Sequence, residues 1–192
     1  IGGSTGEWFN PANWAVTGNL GIAGAVPDLS NVSAVVIGSG KTVTFNDSAA
    51  GITSPASTGT VNITTLSGGG SLSMTNGDLS ATSLNVVQLN TSTGTTITTS
   101  TGITVAPATG TTDTVAGILA GNGSLTKNGA GTTILSGSNT YAGATTISVG
   151  TLEIANAAAL GATSTGTTVE SGAQLALNGG ISGIIFNAEP LT

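Results

Sequence analysis

The segment TTISVGTLEIANA, residues 145–157, is echoed 22 residues later by TTVESGAQLALNG, residues 167–179. Thr145, Thr146, Ile147 and Gly150 map onto Thr167, Thr168, Val169 and Gly172 at that constant shift. After the glycine the shift becomes 23, so that Leu152 and Ile154 map onto Leu175 and Leu177. Self-similarity at such a period is the mark of stacked structural units. Three short strands and three corners fill about 22 residues, one coil of a parallel β-helix. The slack of one residue fits such a stack, because corners accept insertions and stacked strand positions do not. A shorter echo, TTILSG at 132–137, stands 13 residues before Thr145 and reads as an earlier copy.

Strand signals run along most of the chain. SAVVIGSG (33–40), KTVTFND (41–47), GTVNITTLSG (59–68), GSLSMTNG (70–77), LSATSLNVVQLN (79–90) and TTITTSTGITVA (95–106) are β-branched runs bounded by Gly, Asn or Ser. TVAGIL (114–119), SLTK (124–127), TTILSG (132–137), TTVESG (167–172), AQLALNG (173–179) and GIIFNA (183–188) continue the series. Alternation of apolar and polar residues, as at Val61 and Ile63 in TVNITTL, gives each strand one buried and one solvated face. Sustained helical spacing is missing. The best helix candidate, IANAAALGA at 154–162, is short, ends at Gly161, and reads as a loop or a single helical turn. The expectation is an all-β solenoid.

Composition narrows function. Charged residues make up 5% of the 192, against about 25% in ordinary soluble proteins. Lys41 and Lys127 are the two basic residues, and His is absent. Phosphate recognition needs clustered cations, so no nucleic-acid role is expected, and the net charge of −6 disfavours anionic membranes. No window of about 18 apolar residues predicts membrane insertion by a helix. Zero Cys removes disulfides and thiolate chemistry. The start at Ile1, without a charged-then-apolar leader, reads as a removed signal peptide or an excised fragment.

The run GSLTKNGAGTTILSGSNTYAGATTISVGTLEI, within 121–154, resembles the passenger-associated transport repeat, also called the autotransporter-associated β-strand repeat. The matching positions are Gly123, Leu125, Lys127, Gly129, Gly131, Leu135, Ser136, Gly137, Asn139, Thr140, Tyr141, Gly143, Thr145, Ile147, Gly150, Thr151 and Leu152. The opening residues, with Trp8 and Trp14 ahead of a Pro-Asp step, look more loosely like the start of such proteins. The resemblance implies a right-handed parallel β-helix on the bacterial cell surface or outside the cell. Its members are often passengers exported by a C-terminal β-barrel and act as adhesive or structural stalks. No barrel-like run of strands follows the repeat here. The chain is therefore expected to be a released passenger, a fragment, or a subunit exported by another route. The expected organisation is an N-terminal cap over residues 1–32, containing the Trp pair, and a β-helix over 33–192.

Each candidate site residue has a functional and a structural reading. Trp8 and Trp14 form a carbohydrate-binding platform or cap the first coil. Tyr141 is expected to pack at a corner. Lys127 is expected to make a hydrogen bond or ion pair at a corner, with Glu153 a conceivable partner. Gly129, Gly131, Gly137, Asn139, Gly143 and Gly150 are read as corner-shaping residues of the repeat. The carboxylates Glu7, Asp28, Asp47, Asp78, Asp113, Glu153, Glu170 and Glu189 are scattered, without the paired acids or basic partners of polysaccharide-cleaving enzymes. Glu153 and Glu170 are the one pair placed to approach on adjacent rungs, or else to stack in solvent. GGGSLSMTNGD lacks the repeated spacing of calcium repeats, so no metal or other cofactor is expected.

The resulting expectation is a non-catalytic structural protein of the outer surface or extracellular space. It serves as a stalk, or as a filament subunit joined to other copies through its end rungs or the strand 183–188. The alternative is an adhesin that binds a glycan or another surface ligand.

Overall fold

The computed structural model describes residues 5–7, 34–36, 42–45, 60–67, 70–75, 77–179 and 190–192. Among the described residues, fourteen strands join in one all-parallel sheet that winds into a β-solenoid. Among the described residues there is no helix, and so none long and apolar enough to cross a membrane.

Three columns of strands build the coil. The first holds β1 (Thr5–Glu7), β3 (Thr42–Phe45), β5 (Ser71–Met74), β7 (Gln88–Thr91) and β9 (Thr112–Val115). It continues through the ends of β11 (Ser124–Leu135) and β12 (Thr145–Ile154) to β14 (Gln174–Leu177). The second runs from β2 (Ala34–Val36) through the ends of β4 (Thr60–Ser67), β6 (Asp78–Val86) and β8 (Thr96–Val105). It then takes the starts of β11 and β12 and reaches β13 (Thr167–Val169). The third holds the starts of β4, β6 and β8, then β10 (Ile118–Ala120). Parallel neighbours are forced by this winding, since each strand returns to its column only after a full coil.

The 22-to-23 shift is the register itself. Thr145 pairs with Thr167 and Ile147 with Val169, while Leu152 pairs with Leu175 and Ile154 with Leu177. The extra residue falls in the corner, where Gly150 and Gly172 both have positive φ. The echo at TTILSG is different in kind. Thr132 stands in the first column opposite Thr151, and Thr145 stands in the second. The 13-residue spacing therefore relates two faces of one winding and is not a shorter coil. SLTK and TTILSG, read as separate strands, are the two ends of β11.

Alternation decides what fills the tube. Met74, Thr91, Val115, Leu135 and Ile154 stack in one inward row, and Leu84, Ile103 and Leu125 in another. Each buried Leu or Ile contributes about 1.5–3 kcal/mol relative to exposure. In IANAAALGA, expected to be a loop or a single helical turn, residues 157–160 form a turn that is not helical. The Asn156 side chain accepts the Ala158 N–H, and the turn turns Ala159 and Leu160 into the core. Glu7 belongs to β1, which pairs with β3 in the first column. Trp8, Trp14, Asp28, Asp47, Glu189 and the strand expected at 183–188 lie outside the described residues, as does most of the expected cap.

Candidate functional site

The residues singled out in 121–154 converge on the joints between coils. Among the described residues the third column has no strand after β10, and the Asn139 side chain bonds there instead. Its Oδ1 accepts the Leu119 N–H at 2.9 Å, and its Nδ2 donates to the Ala159 carbonyl at 2.6 Å. Its own N–H donates to the Ala158 carbonyl at 3.0 Å. One buried amide thus serves the coil before and the coil after. Tyr141 is buried beside it, with its hydroxyl 2.6 Å from Thr145 Oγ1 and its ring against Gly161.

The glycines permit close stacking. A Cβ on Gly129 would overlap the backbone of Ala106 and Pro107, and one on Gly131 the carbonyl of Ala108. Gly137 and Gly143 press on the backbone at Gly117 and Gly123 in the same way. Gly150 has φ +74° and lies on the Gly129 carbonyl, so both conformation and space exclude a side chain.

Lys127 occupies an inward position between Val105 and Ile147 and is fully buried. Its Nζ donates to the carbonyl of Gly129 and, at 3.0 Å, to that of Val149 in the next coil. Its charge partner is Asp113 and not Glu153, whose carboxylate accepts from Asn178 Nδ2 on the outer face. Burial lowers the Lys127 pKa, partly offset by the Asp113 charge. Burial raises that of Asp113 to about 6, against the pull of the Leu89 N–H and the Lys127 charge. Asp113 Oδ2 accepts that N–H at 3.1 Å, while Oδ1 and the hydroxyl of Thr133, its register partner in β11, have no hydrogen-bond partner.

In the sequence Asp113 is one of eight scattered carboxylates. The signal that places it inside is the alternation TDTV, in which Asp113 is in phase with Val115. Glu153 is in the first column, and Glu170 follows β13 in the second, so the two do not stack on each other. Among the described residues, no three His, Cys, Asp or Glu side chains gather to hold a metal ion. What the convergent groups do chemically is satisfy backbone and charge inside the tube.

The model of the passenger-associated-transport repeat matches residues 125–154, the stretch that contains these joints. That stretch of the chain is similar to the repeat over its full matched length. A curated relative, the "Adhesin BmaC autotransporter" of Brucella suis biovar 1 (strain 1330), is 35% identical over 147 residues. That alignment covers 70% of this chain and 4% of the relative, so the chain spans a small part of the protein it resembles. No solved structure matches. In the repeat, then, Leu125, Leu135, Ile147, Leu152 and Ile154 fill the coil, and Lys127, Asn139 and Tyr141 tie it to its neighbours.

Proposed function

We propose that this chain is a non-catalytic β-solenoid segment of a bacterial surface passenger, working as a stalk within an adhesin-like protein. It lies outside the cell or on its outer surface. The observation that carries the reading is the use of the repeat's distinctive side chains. Lys127, Asn139 and Tyr141 are buried and engaged between coils, in the manner of a scaffold rather than of a reaction centre. The match to the repeat and to an autotransporter adhesin supports the surface location. Beads coated with the purified chain, offered to host-cell monolayers and to a glycan array, test the adhesive part. Attachment above uncoated beads supports an adhesive face; none on any surface reduces the chain to a spacer. Substrate turnover in a polysaccharide-cleavage screen would overturn the non-catalytic reading.

The second reading is a filament subunit. Leu177 continues the inward row of Ile154 yet is 62% exposed, and Leu191 is equally exposed. Stacking a second copy against these two residues would cover both, as exposed apolar rungs favour. Sedimentation and negative-stain microscopy at high concentration distinguish end-to-end rods from single short ones.

A further inference from the structure

The ladder between β7 and β9 is unlike its neighbours. β5 and β7 share four register pairs, as do β9 and β11, whereas β7 and β9 share one, Thr91 with Val115. Side chains bridge the rest of the seam. The Leu89 N–H donates to Asp113 Oδ2, and the Thr114 N–H donates to Asn90 Oδ1 at 2.9 Å. The cause lies in the sequence. The corner APATGT, residues 106–111, adds a turn closed by Thr111 N–H on the Ala108 carbonyl, with Gly110 at φ +77°. Thr91 and Val115 are consequently 24 residues apart, more than the 20 between Thr112 and Thr132.

We propose that the β7–β9 seam is a pH-responsive joint of the solenoid, closed when the Asp113 carboxyl is protonated and looser when it is ionised. The ionised group holds the Leu89 N–H with one oxygen and leaves Oδ1 bare in an apolar tube. The neutral acid keeps that acceptor and gains a donor. Its register partner Thr133 presents the nearby unsatisfied hydroxyl oxygen that can receive it. Protonation therefore satisfies two orphaned buried atoms together. The titratable group facing Asp113 from β11 is Lys127, which favours the ionised form; β7 contributes Gln88, Leu89, Asn90 and Thr91, none of which titrates. Burial outweighs Lys127 and moves the titration of Asp113 to about pH 6, inside the range met outside cells.

Amide hydrogen exchange by NMR on the full chain tests the joint. After correction for intrinsic rates, protection of Leu89 and Thr114 should be about tenfold greater at pH 5 than at pH 7.5. Amides of the β11–β12 ladder should change together by less. Asp113→Asn should make the protection of both seam amides independent of pH. The carboxyl carbon of Asp113 in the unsubstituted chain, followed through the same range, gives a readout that needs no variant. Its midpoint should lie near pH 6. Equal seam protection at the two pH values, a midpoint in the ordinary carboxylate range, or a pH effect that survives Asp113→Asn would each overturn the proposal.

Discussion

At the scale of single residues, the solenoid depends on a few polar side chains enclosed by aliphatic ones. Lys127 illustrates the balance. Its removal leaves the Gly129 and Val149 carbonyls without their donor and Asp113 without a counter-charge. Lys127→Ala should lose roughly 2–4 kcal/mol at pH 7.5 in denaturant unfolding, the cost of leaving buried acceptors without a donor. The double change Lys127→Met with Asp113→Leu should recover only the part due to the buried charges, since the two carbonyls stay without a donor. Asn139→Ala orphans the Leu119 N–H and the Ala159 carbonyl, and roughly 2–4 kcal/mol should go with it. Asp113 also sets a pH dependence. Its folded pKa of about 6 is above the ordinary carboxylate value, so the folded state holds the proton more tightly. The stability this gives is fully present below about pH 4 and is lost as the pH rises through about 6. The difference is on the order of 3 kcal/mol, measurable as a falling denaturant midpoint across that window.

At the scale of elements, the strands were largely legible because period-2 alternation reports a face directly, and the 22-to-23 shift proved to be the pairing register. The boundaries were less so. β11 reads in sequence as two strands because Gly129 and Gly131 look like turn residues; in the fold they let a continuous strand press against the preceding corner. TTILSG resembles TTISVG in composition but belongs to another column, since similar strands line every face of such a tube. The inward place of Asp113 could be seen in TDTV, but its coupling to Lys127 could not, because the two stand on different faces and meet only through the coil geometry. Corner chemistry gives an element-level prediction. Gly150→Ala forces a Cβ into the Gly129 carbonyl at φ +74° and should destabilise the β11–β12 joint by at least about 1–2 kcal/mol. Gly94→Ala, which meets nothing within 4 Å, should lose only the backbone part of that cost.

At the scale of the whole molecule, coils contact only their neighbours, so stability is close to a sum of coil and joint terms. Local opening should follow position: amides of β14 and residues 190–192 should exchange fastest, and those of β11 and β12 slowest, outside the β7–β9 seam. Such a tube can be extended by further coils, which is in keeping with the surface passenger proposed above. The most direct test is protease shaving of intact bacteria that express the natural polypeptide containing this chain, with antibody against residues 125–154 as the readout. Removal of the epitope from unbroken cells, while a cytoplasmic marker stays intact, is the predicted result. An epitope that becomes accessible only after lysis would contradict the assignment to the cell surface.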